Sequence, residues 1–294
     1  MTYCVAIKLD AGLVFLSDSR TNAGIDQIST FRKMMVYEKP GDRFMVLLSA
    51  GNLSVSQSVR EILQIEKVEP GVDDLHGAPI TIWNARSMFD AARVLGAAVR
   101  RVRAQDEDAL TAAGIDFSCS MIFGGQIKGE PMRLFLVYSA GNFIEATRET
   151  CYFQIGESKY GKPVLDRMIN PATPLDAAAK CALVSMDSTM KSNLSVGLPL
   201  DLMVYEVDRF ESSQSVCVDE LNPYFQMIRG TWGPRLRQVF DSLEDPQWNE
   251  AETSASASTS ASTCSTTSTG TQLCVPSVRY EPMKKITHPG EKVV

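Results

Sequence analysis

Histidine is almost missing from this chain: two occur in 294 residues, His76 and His288. Neither has an Asp and Ser pattern near it, which argues against a Ser-His-Asp triad and leaves any acyl transfer to another base. A positive excess is also lacking, with 29 Lys and Arg against 35 Asp and Glu, a net charge of −6 and a pI near 5.1. That balance argues against a phosphate-binding surface, so no nucleic-acid partner is expected. The nearest basic cluster, Arg93, Arg100, Arg101 and Arg103, reads as a solvated or intersubunit helix face. No apolar run is long enough to span a bilayer, and the first residues lack the charged-then-apolar pattern of an export signal. The seven cysteines are odd in number and lack the short paired spacings of zinc sites or disulfide scaffolds. The expectation is a cytoplasmic protein with no membrane partner, no metal and no cofactor.

What is present begins at the first residues. Tyr3 to Leu9 and Leu13 to Asp18 are two apolar, β-favouring runs around the turn signal Asp10-Ala11-Gly12, and they read as a hairpin. Thr2 precedes the first run by one residue, and removal of Met1 would leave it with a free α-amine. Such a threonine carries both halves of a nucleophilic unit: the hydroxyl attacks, and an amine with an ordinary pKa of about 7.7–8.0 takes the proton. Antiparallel pairing across the hairpin brings Asp18 opposite a residue close to Tyr3 in each of the registers the turn allows, and so puts a carboxylate close to Thr2. Lys33 opens the next strand-like run; an ammonium near the Thr2 hydroxyl would favour its deprotonated form, with Asp18 holding the lysine in place. Cys4 is a weaker nucleophile candidate and reads better as a buried strand residue.

These stretches, Met1-Thr2-Tyr3-Cys4-Val5, Ser17-Asp18-Ser19-Arg20-Thr21-Asn22-Ala23-Gly24, Ser29-Thr30-Phe31-Arg32-Lys33 and Leu48-Ser49-Ala50-Gly51-Asn52, resemble the proteasome β-type peptidases, most closely their Anbu branch, the ancestral β-subunit. The resemblance covers roughly residues 2 to 242. It implies an α+β fold, a four-layer αββα sandwich of two stacked antiparallel sheets as in the N-terminal-nucleophile hydrolases. It places Thr2 on the nucleophile, Asp18 and Lys33 on its charge partners and the Gly51 amide on the oxyanion donor, with Asp187 on the family's second aspartate. Asn22 stands where many proteasome subunits have a substrate-aligning threonine, and Lys33 comes one residue early. Glu157 stands at the supporting serine, unless Ser158 takes that place. Met190 replaces the serine expected after Asp187, leaving Ser192 or Ser195 as candidates. Ser49 and Leu53, close to Gly51, line the pocket on this reading.

The rest of the chain supplies an α+β order of its own. A strand pair at 33–38 and 43–50 brings the count to four strands before the first helix, which Asn52 caps. A longer helix is expected over 81–105, then strands over 117–124, 132–139, 143–146 and 152–155, with Gly124-Gly125 marking a turn. Helices follow over 160–168 and 175–191, then strands over 200–207 and 215–218. An amphipathic segment over 222–243 is expected to break at Gly230 and Gly233-Pro234. One domain over residues 1–245 is expected, followed by a Ser/Thr-rich, disordered tail over 246–294. The function implied is a self-compartmentalising threonine peptidase acting on peptides or unfolded protein in a homo-oligomeric ring or ring-like assembly; no unfoldase partner is identified. The alternatives are a weakly active scaffold of the same fold and a small-molecule amidase.

Overall fold

The computed structural model describes residues 2–22, 28–69 and 78–246. They divide into a compact unit, Met1–Gly233, and a second unit, Pro234–Val294, of which residues 234–246 are described. The expected tail lies, from residue 247 on, outside the described residues, as does His76.

Strands β1 (Tyr3–Leu9) and β2 (Gly12–Asp18) form the expected hairpin, with Cys4 opposite Ser17 and Leu9 opposite Gly12. A three-residue pair follows, β3 (Arg20–Asn22) and β4 (Ile28–Thr30), so six strands precede the first helix where four were expected. The reason is composition: these polar, three-residue strands carry no apolar alternation to read. Next come β5 (Met34–Lys39), β6 (Arg43–Gly51) and helix α1 (Leu53–Ile65), whose first turn is capped by Asn52 Oδ1 accepting from the Ser54 amide at 3.0 Å.

Helix α2 is Met88–Ala112, seven residues later in its start than expected from Thr81. Ser87 explains the shift: its Oγ accepts from the Asp90 amide at 3.1 Å and donates to Asp90 Oδ2 at 2.9 Å, a reciprocal cap that begins the helix there. The four arginines of the basic cluster are mostly met locally: Arg93 by Asp90, Arg101 by Glu66, Arg103 by Glu107 and Arg100 by the Gly141 carbonyl.

Strands β7 (Cys119–Ile127), β8 (Arg133–Val137), β9 (Phe143–Glu145) and β10 (Tyr152–Gly156) come next. Gly124 and Gly125 lie inside β7 rather than at a turn. A Cβ at Gly124 would stand 2.6 Å from Leu134 Cδ1, and one at Gly125 would stand 2.0 Å from the Phe44 carbonyl oxygen, so the pair serves close strand packing. Helices α3 (Ser158–Met168) and α4 (Leu175–Ser192), strands β11 (Leu200–Glu206) and β12 (Gln214–Val218), and helix α5 (Pro223–Asp241) complete the order. Helix α5 continues through Gly230 and Gly233-Pro234, where a break was expected. Proline removes one helical hydrogen bond, and the glycine four residues before it has no Cβ and open space around it.

Two five-stranded antiparallel sheets result, in the orders β10-β1-β2-β11-β12 and β5-β6-β7-β8-β9. Strand alternation sorts their side chains. In β1, Cys4 and Ala6 join Phe15, Phe44, Val46, Leu48 and Ile122 in a cluster drawn from both sheets, with Phe44 stacked on Tyr205 at 4.6 Å. Tyr3, Val5 and Ile7 point the other way, into a cluster with Leu165, Ala182 and Phe225 from α3, α4 and α5. A third cluster joins Met45, Leu47 and Met121 to Val59 of α1 and Leu95 of α2. Each large side chain so buried contributes about 1.5–3 kcal/mol of transfer free energy. Among the described residues no helix is long and apolar enough to cross a membrane.

Candidate active site

The register of β1 and β2 ends with Cys4 opposite Ser17, which leaves Asp18 alongside Tyr3 and one residue from Thr2. Asp18 Oδ1 accepts the Tyr3 amide at 3.0 Å and the Lys33 ammonium at 2.7 Å. Lys33 also donates to the Arg20 carbonyl at 2.6 Å. Neither partner is free to hydrate, with 6% of the Lys33 side chain exposed and none of Asp18. Burial pushes the Asp18 carboxyl above the usual carboxylate range, and Lys33 and the Tyr3 amide act against that rise. Asp18 Oδ2 is buried without a hydrogen bond.

Thr2 is held from the other side by β10. Its carbonyl accepts the Glu157 amide at 2.8 Å, continuing a ladder in which Tyr3 faces Gly156. Gly156 has φ of 79°, and a Cβ there would stand 1.9 Å from the Thr2 carbonyl oxygen, so glycine is required on both counts. Beneath Thr2, the Tyr3 hydroxyl meets Ser185 Oγ and Gln154 Nε2, each at 2.6 Å, and Ser185 donates to the Gly161 carbonyl at 3.0 Å. This buried network ties β1 to α3 and α4.

Gly51 ends β6 with φ of 111°, and a Cβ would stand 2.3 Å from the Ser118 carbonyl oxygen. Ser49, two residues earlier, joins this strand to the pair described above: its amide donates to the Lys33 carbonyl at 3.1 Å, and Cys4 Sγ donates to the Ser49 carbonyl at 3.9 Å. Cys4 is a buried strand residue, as expected, and burial raises its thiol far above the ordinary range. It is not poised as a nucleophile.

Of the residues named from sequence, Asp18, Lys33 and Ser49 are joined by hydrogen bonds; Thr2 immediately precedes Tyr3, whose amide Asp18 accepts, and Gly51 lies two residues beyond Ser49 on the same strand. Leu53 is the first residue of α1, and the Asn22 backbone ends β3 opposite Ile28. Ser158 opens α3, where its carbonyl accepts from Gln154 at 3.2 Å. Asp187 lies on α4 and pairs with Arg229 of α5 at 3.5 Å, with burial raising its carboxyl and Arg229 acting against the rise. Among the described residues no hydrogen bond or ion pair joins Asp187 or the Ser158 side chain to Thr2, Asp18 or Lys33. The described residues contain no group of three or more His, Cys, Asp or Glu placed to hold a metal.

Sequence reasoning missed Arg60. Its Nη2 donates to Ser49 Oγ at 2.9 Å and to the Arg32 carbonyl at 2.8 Å. One signal was available: the positions three and four residues either side of Arg60, namely Ser56, Gln57, Leu63 and Gln64, offer no helical carboxylate to pair with it. A separate cavity of about 290 Å³, lined by Lys8, Asp10, Arg148 and Cys151 among others, lies at the opposite end of β1 from Thr2.

No protein-family model and no curated protein matches the chain. Solved structures do. An Anbu (ancestral β-subunit) from Yersinia bercovieri is 51% identical with a TM-score of 0.74, the match covering 84% of this chain and all of that one. Anbu from Pseudomonas aeruginosa, solved as a helical assembly, is 47% identical with a TM-score of 0.74 over 84% of this chain and 98% of that one. An Anbu Gly-1 mutant from Hyphomicrobium sp. strain MC1 is 44% identical with a TM-score of 0.75, over 84% of this chain and all of that one. With this identity over the whole length, or nearly so, of its relatives, the chain belongs to the Anbu family of proteasome-type β-subunits.

Proposed function

We propose that the chain is a threonine-type peptidase whose nucleophile is Thr2 after removal of Met1. The observation that carries this reading is the double use of Asp18 Oδ1, which accepts the Tyr3 amide and the Lys33 ammonium and so fixes a buried charge pair one residue from Thr2. Lys33 favours the ionised hydroxyl, and the α-amine of Thr2 takes its proton. The oxygen bonds to the substrate carbonyl carbon, and the negative charge that develops on the carbonyl oxygen is met by the Gly51 N–H. The C–N bond then breaks as the amine returns the proton to the leaving group, and water hydrolyses the ester to restore Thr2. Ser49 and Leu53 line the substrate cleft; the Asn22 side chain, expected there too, lies outside the described residues. The family resemblance gives Asp187 and Ser158 supporting roles, yet Asp187 is engaged by Arg229 and only the Ser158 carbonyl is bonded, so the mechanism draws no step through either.

The substrate class on this reading is peptide or unfolded protein, enclosed by a homo-oligomer in the cytoplasm. The helical assembly of the Pseudomonas aeruginosa relative supports self-association. A four-layer αββα arrangement is inferred from the three clusters, one between the sheets and one between each sheet and its helices. A second reading, a weakly active scaffold, is favoured by one observation: Asp187 is engaged by Arg229.

Intact mass before and after treatment with a peptide epoxyketone, which must react with both hydroxyl and amine, tests the mechanism. Loss of Met1 and one adduct per chain, absent in Thr2→Ala, is the expected result. A trimmed chain that forms no adduct overturns it.

A further inference from the structure

Three cations gather where β5, β6 and α1 meet, and they differ in the acidic groups around them. Lys33 is paired with Asp18, and Arg32 acts on Asp201, holding back the rise that burial causes in that carboxyl. Arg60 has no acidic partner among the described residues. Its Nη2 is spent on two neutral acceptors, Ser49 Oγ and the Arg32 carbonyl, while its Nε is buried without any partner. Burial lowers its pKa, with only Tyr37 and Cys4 acting against that. The Tyr37 hydroxyl, which interacts electrostatically with Arg60, is likewise buried and unpartnered. Two donors without acceptors and one cation without a counter-charge make a place that lacks an anion.

The location gives that anion a source. Arg60 lies seven residues, about two turns, beyond Leu53 and therefore on the same face of α1. Ser49, which it grips, shares a face of β6 with Gly51 and stands about 7 Å from it, two residues along a strand. A substrate whose carbonyl oxygen meets the Gly51 amide therefore has its adjoining side chain within reach of the guanidinium. We infer that Arg60 is a specificity-determining residue: the cleft takes peptides with an acidic side chain, Asp or Glu, on the residue whose carbonyl is attacked. Guanidinium and carboxylate form a charge-assisted pair that a neutral amide does not match.

This inference rests on the peptidase reading for its geometry but is tested by binding, so the two can fail separately. The probes are two fluorescein-labelled peptide amides that differ only in a final Glu or Gln, measured by anisotropy against full-length Thr2→Ala protein, which cannot turn them over. The Glu peptide is expected to bind about tenfold more tightly, the size of one charge-assisted contact. Arg60→Met should erase the difference, and Arg60→Lys, which keeps the charge, should retain part of it. Equal binding of the two peptides, failure of both to bind, or a preference that survives in Arg60→Met overturns the inference. If Arg60→Met does not fold, the Glu-to-Gln ratio of the parent and of Arg60→Lys decides the matter. Discrimination between the probes with no epoxyketone adduct sinks the peptidase reading alone; an adduct with no discrimination sinks only this one.

Discussion

Two aspartates that resemble catalytic positions of one family sit in unlike surroundings. Asp18 meets Lys33 at 2.7 Å with almost no solvent on either side chain, whereas Asp187 meets Arg229 at 3.5 Å, with half of the arginine side chain exposed. The first pair is closed by the hairpin register and by strand β6; the second joins two helices and keeps access to water. The lesson is that a charge pair's worth follows from what replaces its partner. Without Lys33 the Asp18 carboxylate stays fully buried with only backbone amides acting on it, while without Arg229 Asp187 can turn to solvent.

The sharpest way to break this comparison is Lys33→Met. Leaving Asp18 buried and unpaired should cost about 3–5 kcal/mol, read as a lower midpoint in urea, and should abolish epoxyketone reaction. A loss below about 1 kcal/mol would put the pair in the class of surface ion pairs. Next in size is Gly156→Ala, which asks whether the backbone around Thr2 matters as much as the charges. Its φ of 79° and a methyl 1.9 Å from the Thr2 carbonyl oxygen force β1 and β10 apart. The expected cost is about 1–3 kcal/mol together with loss of the Glu157 hydrogen bond, seen as faster exchange of that amide.

The smallest effect is reserved for Asp187→Asn, and its sign is opposite. A carboxyl whose folded pKa is raised above the ordinary 3.8 contributes stability below that value and loses it as pH climbs through the folded value. Asparagine, which does not ionise, should therefore match the parent at acid pH and exceed it slightly above, by less than about 1 kcal/mol given the exposure of Arg229. Thermal melts across pH 3 to 8, scanned on the order of one unit at a time, check this; a variant that is less stable at neutral pH would show that Asp187 is used by more than Arg229.

Much of the first half of the site was legible because it is local. The turn at Asp10-Ala11-Gly12 narrows the register to a few neighbours, each of which puts Asp18 near Tyr3, and the structure selects the one with Cys4 opposite Ser17; Asn52 announces its helix by its cap. That Lys33 closes the pair came from family resemblance, since it sits 15 residues from Asp18 across an intervening hairpin. Arg60 could be seen to lack a local acid, but its partners Arg32 and Ser49 are 28 and 11 residues away and are chosen by tertiary packing. The Gly124-Gly125 pair misled for a related reason: glycine signals either a turn or a lack of room, and only Leu134 and Phe44 across the sheet say which.

The Tyr3 amide has a consequence for motion. Backbone hydrogens trade with water most slowly where they are buried and bonded within a sheet. Here the third residue is fully buried, gives its N–H to a carboxylate with no solvent exposure, and has its ring hydroxyl bonded to two other elements. In deuterium exchange, strand β1 around Tyr3 should be among the most slowly labelled segments, opening only with the sheet itself.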